Sequence, residues 1–359
     1  MRAMGAGSLS ITRPLLQWLQ ADPAWHALPL RQRAWLQWQA RLGSLNARLA
    51  SAAAISPAAP ASALAAPVLV LGPWRSGTTV MHELLAAATG LATPRTWQCM
   101  NATRFTTLPS GQRARAVVAR PMDGLAVDAQ SPQEDEFALL TLGAESAYRA
   151  FWMPHRIEQL HATLDQAHWL ANDGWLRTWE QFLAGVLRST PPARQPLLLK
   201  SPNHSFRLHA IQRHWPGTRV VWMVRDGATV AHSNLKMWRT MGQQHGLTTA
   251  RPGALEAFIA QALRACAQTL DQAALAPSQA PWACVQAARL RLDGEAVVHE
   301  VHAQLQLPGA VDGPALQAAV ARTARGREDH YTGALPEVLM SAVQEFDAAQ
   351  QRVLKLNGG

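Results

Sequence analysis

A chain of 359 residues can bury a substantial core, and this length suits one large α/β domain with insertions or one domain with an added helical lobe. Only 16% of the residues are charged and the arginines are scattered, so the net charge of +9 predicts no nucleic-acid partner. The sequence contains no apolar run long enough for a membrane span and no pattern typical of a secretory signal. Its three cysteines are widely spaced, which argues against a disulfide framework or a zinc site and favours a cytoplasmic location.

The chain begins with a predicted helical segment, residues 1–50. Leu30, Trp35, Trp38 and Leu42 recur with a roughly helical period, which predicts a helix packed on the core or on a second subunit. A homodimer is therefore an open expectation. Residues 51–66 are rich in alanine and proline and read as a linker, and residues 67–359 form the predicted main domain.

The main domain opens with a strand, a glycine-containing loop and a helix between residues 67 and 90. The apolar run 68–71 leads into Gly72-Pro-Trp-Arg-Ser-Gly77-Thr78-Thr79. The two glycines have the spacing of a nucleotide-binding phosphate loop, but Thr78 stands where an ATP-binding loop carries lysine. Backbone N–H groups at the start of a helix still attract an anion, and Arg75 adds a fixed charge. The loop therefore predicts a site for a smaller 5'-phosphate-type group.

A helical insertion is predicted for residues 91–196, and two further strand-to-helix units follow it. Its tryptophans, among them Trp152 and Trp179, are expected to pack in the core. The strand at 197–199 ends at Lys200, and the strand at 219–224 ends at Arg225. Strands that each enter a helix predict an α/β fold with a doubly wound, P-loop-like parallel sheet, followed by a mostly helical C-terminal part.

Ligands of such sheets bind at the carboxyl ends of the strands, so the residues that follow the three strands are expected to share one site. Lysine is scarce in this sequence, which contains only Lys200, Lys236 and Lys355. Where arginine supplies nearly every other cation, a lysine at a strand end indicates that a compact ammonium is needed there.

At these residues the chain resembles the sulfotransferases that use 3'-phosphoadenosine 5'-phosphosulfate (PAPS), especially the bacterial and tyrosylprotein-type branch. The resemblance rests on the loop from Arg75 to Thr79, on Lys200-Ser-Pro-Asn-His204, and on Arg225 followed eight residues later by Ser233. These three blocks occur in the order found in the family and span residues 67–238. The resemblance weakens beyond residue 240, where the tyrosine of a V-x-Y-E-x-L segment is replaced by Ala287.

The resemblance implies which residues bind the co-substrate PAPS. The 5'-phosphosulfate would lie in the loop, bound by Arg75, Ser76, Gly77, Thr78 and Thr79. Arg225 and Ser233 would bind the 3'-phosphate. Lys200, Arg75 and the loop N–H groups would stabilise charge that develops on the leaving oxygen and the sulfuryl oxygens. No metal would be required, because the transferred group carries less charge than a γ-phosphate.

The general base for the acceptor hydroxyl or amine stays open among several residues. Trp97-Gln98 stands where many members of the branch have Trp-Glu, and glutamine cannot accept the proton. The acidic segment 131–136 resembles another segment of the branch, so Glu134 or Glu136 is a candidate. His204, four residues after Lys200, competes with them.

The predicted function is sulfuryl transfer from PAPS to a hydroxyl or amine of a small-molecule, lipid or peptide acceptor. Two alternatives remain at this point: a P-loop phosphotransferase that uses ATP, and a nucleotide-binding protein of the same fold that has lost catalysis. Thr78 and the lack of a clear magnesium-binding acid after a strand disfavour the first, and Gln98 and Ala287 are the only hints of the second.

Overall fold

The structure is a computed structural model of the chain. It describes residues 11–53, 64–108, 118–119, 126–189, 195–275, 280–324, 331 and 333–356. The segment Arg325-Gly326-Arg327, in a region where members of the family that the chain resembles often close over the cofactor, lies outside these residues.

A four-stranded, all-parallel sheet lies at the centre of the fold, in the order β4-β1-β5-β6. Its strands are β1 (Val68–Leu71), β4 (Leu198–Lys200), β5 (Arg219–Val224) and β6 (Trp282–Gln286). A separate antiparallel pair consists of β2 (Val118–Ala119) and β3 (Ala126–Val127). The phosphate-loop strand β1 is central, with β4 on one side and β5 on the other. The ends of β1, β4 and β5 therefore meet at one edge of the sheet, as the sequence predicted.

Helices cover both faces of this sheet. The α-helices are α1 (Arg13–Gln20), α2 (Ala24–Ala27), α3 (Leu30–Ala53), α4 (Thr78–Thr89), α5 (Thr96–Met100), α6 (Glu136–Leu142), α7 (Gln166–Ala171), α8 (Gly174–Ser189), α9 (Leu208–His214), α10 (Gly227–His245), α11 (Ala254–Leu275), α12 (Ala287–Leu292), α13 (Gly294–Gln304), α14 (Gly313–Thr323) and α15 (Glu337–Leu356). Turns of 3₁₀ helix occur at Phe105–Thr107, Ala147–Phe151, Pro154–Leu164 and Pro202–Phe206.

The two faces of the sheet bury different cores because side chains alternate along a strand. Val68 and Val70 of β1 point into a smaller core with α4, α13 and α14. Leu69 and Leu71 point into a larger core formed by the insertion and by α10, α11 and α15. Burial of β1 on both faces explains its uninterrupted apolar sequence. The doubly wound parallel sheet predicted from the sequence is confirmed.

From residue 11 onward, the described part of the N-terminal segment is mostly helical and joins the larger core. Leu15 and Leu19 of α1 are fully buried there, and the Thr12 hydroxyl donates a hydrogen bond to the backbone oxygen of Thr141 in α6. Helix α3 packs on α1 and runs through Ala53, so the first three residues of the predicted 51–66 linker belong to this helix. Within the predicted insertion 91–196, the four tryptophans expected in the core are all buried, namely Trp152, Trp169, Trp175 and Trp179.

Strand β6 is the strand of the central sheet that the sequence did not predict, and the short strands β2 and β3 interrupt the predicted helical insertion 91–196. The sequence predicts a mostly helical C-terminal part, but Trp282–Gln286 pairs in parallel with β5 and completes the sheet. The strand is only five residues long and is followed directly by α12, so helical periodicity on its C-terminal side masked it. Its end brings Ala287 near the phosphate loop, because a Cβ added at Gly77 would lie 3.6 Å from the Cβ of Ala287.

Candidate active site

The phosphate loop is built from residues with unusual backbone angles. Gly72 and Gly77 have φ values of 136° and 99°, and Arg75 has a φ of 71°, in the left-handed region that non-glycine residues rarely enter. Ser205 braces the start of the loop, since its hydroxyl accepts a hydrogen bond from the Gly72 N–H at 3.0 Å and donates one to the Gly72 carbonyl at 3.2 Å. These backbone angles lead the chain from β1 into α4, whose N-cap is Gly77.

The loop also holds a polar atom without a protein partner. Ser76 is fully buried, and its hydroxyl has no hydrogen-bond partner within the part of the chain that the structure describes. A buried hydroxyl without a partner is costly, so a ligand that hydrogen-bonds it would remove that penalty. The loop therefore fits an anion with oxygen acceptors, such as a phosphate or a sulfate.

Arg75, Arg225 and Ser233 lie together beside the loop. The Nε of Arg75 donates to the Ser233 hydroxyl at 3.0 Å, and a guanidinium nitrogen of Arg225 donates to the Arg75 carbonyl at 2.7 Å. Ser233 lies in α10, which begins just after Arg225, and Asp226 caps this helix through the Thr229 N–H. Two guanidinium groups and a hydroxyl thus form one potential anion site, and the Arg75 side chain faces this site.

The Arg225 backbone is held from behind by the C-terminal helix. Gln350 of α15 accepts from the Arg225 N–H and donates to the Arg225 carbonyl, each at 3.0 Å. Asp347 accepts from the Gly227 N–H at 2.9 Å. Burial raises the pKa of the Asp347 carboxyl, and the nearby Asp226 charge acts in the same direction. Helix α15 therefore fixes the turn from β5 into α10.

Lys200 lies at the end of β4, between the loop helix and a carboxylate. Its Nζ is 3.3 Å from the Thr79 hydroxyl in the first turn of α4 and 2.6 Å from Oε1 of Glu134. The Lys200 side chain is 1% exposed and that of Glu134 is 10% exposed. The structure therefore brings the predicted ammonium, one predicted base and the phosphate loop into direct contact.

The other oxygen of Glu134 is held by a tyrosine. The Tyr148 hydroxyl donates to Oε2 of Glu134 at 2.7 Å, and its ring stacks on Phe151. Burial, and then the Glu134 charge, raise the pKa of Tyr148 well above its usual value, so the phenol stays protonated and remains a donor. Each carboxylate oxygen has a second lone pair, which leaves Glu134 able to accept from another hydroxyl.

Three consecutive acids pair with three bases on the segment that follows β4. Glu134 pairs with Lys200, Asp135 with His204 and Glu136 with Arg207, a set that we call the acid-base ladder. The three basic residues are spaced by four and then three positions: Lys200 ends β4, His204 lies in the 3₁₀ turn, and Arg207 is the residue just before α9. Lys200 of the first pair also hydrogen-bonds to Thr79 of the phosphate-loop helix.

His204 lies in the interior of the protein. Its ring is fully buried, Nε2 is 3.0 Å from Oδ2 of Asp135, and the Trp179 ring packs against it at 4.6 Å. The same Asp135 oxygen accepts a 2.6 Å hydrogen bond from Trp179. The structure thus joins His204 to Asp135 and leaves Glu134 with Lys200.

Gln98, at the position where the branch often has glutamate, has a structural role. Its Oε1 accepts from the Arg95 N–H at 2.7 Å, and its Nε2 donates to Ser189 at 2.8 Å. The side chain is fully buried and caps the start of α5. A glutamate at this position has no N–H group to donate to the Ser189 hydroxyl, so glutamine fits both partners.

Sequence reasoning missed Tyr148, Ser205 and Arg207. Tyr148 could have been singled out because tyrosine is rare: the chain has only two tyrosines, and the rarity of lysine is what pointed to Lys200. Ser205 and Arg207 gave no such signal, since serine and arginine occur throughout the chain. Their roles depend on which segments meet at the sheet edge.

The described residues contain neither a candidate membrane span nor a candidate metal site. Across the described ranges, no helix has both the length and the apolar character needed to cross a membrane. The same part of the chain holds no group of three or more His, Cys, Asp or Glu side chains arranged to bind a metal ion.

A parallel sheet with a phosphate loop after its central strand, and cations at the neighbouring strand ends, defines a P-loop-like fold with a candidate anion site at the carboxyl edge of the sheet. Comparison with known proteins gives the family. Residues 67–310 match the sulfotransferase family, and the chain belongs to it.

Individual relatives agree with this assignment. The chain is 30% identical over 186 residues to omega-hydroxy-beta-dihydromenaquinone-9 sulfotransferase Stf3 from Mycobacterium bovis, and equally to the protein of that name from Mycobacterium tuberculosis. The match covers 50% of this chain and 47% of each relative, so the chain spans about half the length of the curated relatives it matches.

Solved structures support the fold. Sulfotransferase STF9 from Mycobacterium avium superposes with a TM-score of 0.61 at 17% identity, covering 96% of this chain and 88% of that one. Sulfotransferase STF1 from Mycobacterium tuberculosis gives a TM-score of 0.59 at 16% identity, covering 95% and 90%.

Proposed function

We propose that this protein transfers the sulfuryl group of PAPS to a hydroxyl of a small-molecule or lipid-like acceptor. The observation that carries the proposal is the position of Lys200, whose ammonium contacts both Thr79 of the loop helix and the carboxylate of Glu134. The Lys200 ammonium therefore lies between the phosphate-loop helix and the Glu134 carboxylate, which could accept a proton. Family membership over residues 67–310 supports the same reaction.

We assign the two anionic groups of PAPS to two anion sites of the chain. The loop with the buried Ser76 hydroxyl would hold the 5'-phosphosulfate, and Arg75, Arg225 and Ser233 would hold the 3'-phosphate. When bound, PAPS supplies the sulfuryl group and a nucleotide leaving group. Arg75 thus acts in our proposal mainly at the 3'-phosphate, because its side chain faces Ser233.

Lys200 and Glu134 have separate roles in the proposed reaction. Negative charge develops on the oxygen between phosphorus and sulfur as the bond from sulfur to this oxygen breaks. Lys200 stabilises that charge, since its ammonium lies next to the loop helix. Glu134 accepts the proton of the acceptor hydroxyl, oriented by Tyr148 on its second oxygen. His204 has a positioning role through Asp135, because its ring is fully buried.

The acceptor class follows from the relatives. The curated relatives are named as sulfotransferases of omega-hydroxy-beta-dihydromenaquinone-9, a lipid-like alcohol. We therefore propose a hydroxylated lipid or small alcohol as acceptor. We also propose a reducing compartment such as the cytoplasm, in line with a sequence that has only three, widely spaced cysteines.

Thermal shift and product analysis test the proposal. Adenosine 3',5'-bisphosphate should raise the thermal midpoint, since a ligand that binds only the native state adds about 2.7 kcal/mol at a hundredfold excess over its Kd. ATP with magnesium should raise it much less, because Thr78 replaces the phosphate-loop lysine. Mass spectrometry of PAPS incubated with the protein and a panel of phenols, amines and hydroxylated prenylquinones should then reveal one sulfated product class.

Equal or larger stabilisation by ATP with magnesium would refute the PAPS assignment. Tight binding of adenosine 3',5'-bisphosphate with no sulfated product from any acceptor of the panel would instead favour a nucleotide-binding protein without catalysis.

A further inference from the structure

Helix α3 carries an exposed apolar stripe on the side that faces away from the protein. Trp38, Leu42 and Leu45 are 54%, 37% and 53% exposed, and they follow one another at intervals of four and three residues. With 3.6 residues per turn, this spacing places all three on one face of the helix. Leu30, at the start of the helix and 77% exposed, continues the stripe.

The opposite face of α3 attaches the helix to the protein. Leu36 and Ala40 are buried, and Gly43 approaches the backbone of Ile11 so closely that a Cβ there would lie 2.8 Å from the Ile11 oxygen. Helix α3 packs on α1, and α1 packs on α6, the helix that starts two residues after Glu134. The packed face of α3 therefore holds the exposed stripe in place on the protein surface. Through α1, helix α3 is also connected to α6, which lies beside the candidate site.

The charge of α3 is of one sign. The helix contains Arg31, Arg33, Arg41 and Arg48 and no acidic residue between Leu30 and Ala53. In the first 82 residues of the chain the only acid is Asp22, and its carboxylate is buried against His155 and Arg156. The arginines Arg31, Arg41 and Arg48 are exposed, so the surface around the stripe is basic.

We propose that the exposed face of α3 binds an anionic membrane surface. A helix that presents tryptophan and leucine flanked by arginine lies in the lipid interface, with its apolar side chains among the acyl chains and its cations at the headgroups. Anionic headgroups complement the arginines, and exposed Trp38 suits the interface between headgroups and hydrocarbon.

A second copy of the chain fits this surface less well. In a twofold dimer the same patch appears on both subunits, so arginines of one α3 would face arginines of the other. With no acid on the helix to offset them, that pairing would bring like charges together as apolar surface is buried. A membrane carries the opposite charge and imposes no such repulsion.

Vesicle co-sedimentation of the full chain tests the proposal. We expect the protein to pellet with vesicles of phosphatidylcholine and phosphatidylglycerol, to stay in the supernatant with phosphatidylcholine alone, and to dissociate as salt is raised. Combined Trp38→Gln, Leu42→Gln and Leu45→Gln substitutions should weaken binding by at least about tenfold. The matched control is Leu275→Gln with Leu292→Gln, because these leucines are 85% and 87% exposed on other helices; it should bind like the parent.

A charge variant makes the test independent of the apolar substitutions. Arg41→Gln with Arg48→Gln keeps the apolar stripe and should weaken binding about fivefold for each arginine removed. Failure of the parent to pellet with anionic vesicles would overturn the proposal, as would unchanged binding of both variants. A dimer in sedimentation velocity that dissociates in the triple variant would assign the stripe to a subunit interface instead. None of these outcomes bears on the proposed sulfuryl transfer.

Discussion

Replacement of Glu134 by glutamine separates its proposed chemical role from its structural one. Glutamine keeps the shape of the side chain and an acceptor for the ammonium of Lys200, which now lies 2.6 Å from the carboxylate. Its NH₂ would face Tyr148, whose hydroxyl can rotate to accept. The variant therefore keeps the contacts with Lys200 and Tyr148. The buried Lys200 ammonium nevertheless loses the negative charge that balances it. We therefore expect Glu134→Gln to lower the free energy of unfolding by about 2 to 4 kcal/mol.

Turnover should fall much further than stability alone explains. Removal of a general base lowers the rate by roughly two to four orders of magnitude, whereas the affinity for adenosine 3',5'-bisphosphate should stay nearly unchanged. The assay measures turnover per folded molecule, below the thermal midpoint of the variant, together with calorimetric titration of the nucleotide.

Glu136→Gln is the matched control. Glu136 lies two residues away, is fully buried and accepts two hydrogen bonds from Arg207, at 2.7 and 3.0 Å. The same substitution there should cost a similar free energy of unfolding and leave turnover per folded molecule within about threefold of the parent. If Glu134→Gln keeps near-normal turnover, or if Glu136→Gln loses as much, Glu134 is not the base.

Three further variants give distinct results. His204→Gln should lower the thermal midpoint, because Asp135 loses a buried partner, and should leave turnover per folded molecule far above that of Glu134→Gln. Arg225→Ala should weaken adenosine 3',5'-bisphosphate more than adenosine 5'-phosphate by roughly 10- to 150-fold in calorimetry, from about 1.5 to 3 kcal/mol per charge-assisted contact, and Ser233→Ala should show a smaller loss of the same kind. Burial, with the Lys200 and Arg95 charges, lowers the pKa of His82 well below its usual value. Below about pH 6.5 the unfolded chain therefore binds a proton at His82 that the native state does not bind, so the free energy of unfolding falls by about 1.36 kcal/mol for each pH unit. In denaturant unfolding at several pH values, the free energy of unfolding of His82→Gln should depend less steeply on pH than that of the parent, by that amount.

Each of these expectations has a contrary result. Turnover of His204→Gln as low as that of Glu134→Gln would make the histidine a second essential group. An unchanged ratio of the two nucleotide affinities in Arg225→Ala would remove the 3'-phosphate assignment. Parallel pH profiles for the parent and His82→Gln would mean that His82 is protonated in the native state or that its pKa is not lowered.

The sequence predicted the elements whose pattern is local. The bounds of β1 and β5 match the apolar runs 68–71 and 219–224, because each strand is buried on both faces and ends at polar or glycine residues. Strand β6 could not be recognised in this way, because it has no uninterrupted apolar run: it alternates between half-buried and buried residues, ends at the exposed Gln286, and is fixed in the sheet by pairing with β5.

The candidate site was predicted in part for the same reason. Lys200, Arg225 and the loop are strand ends, and topology alone brings strand ends together. The choice between Glu134 and His204 was beyond the sequence, because it depends on the side from which the acidic segment approaches β4. The structure brings Glu134 to Lys200 and turns His204 toward Trp179.

The acid-base ladder also constrains how two distant parts of the chain can be aligned. Its pairs join positions separated by 66, 69 and 71 residues. If the acidic segment slipped by one residue, at least one buried charge would lose its partner, at a cost of several kcal/mol. Misaligned arrangements of the insertion are thereby penalised during folding, and the correct one brings Glu134 to Lys200. Assembly of the proposed catalytic pair then coincides with docking of the insertion onto the sheet, so enzymatic activity itself would report that the insertion has docked in the correct alignment.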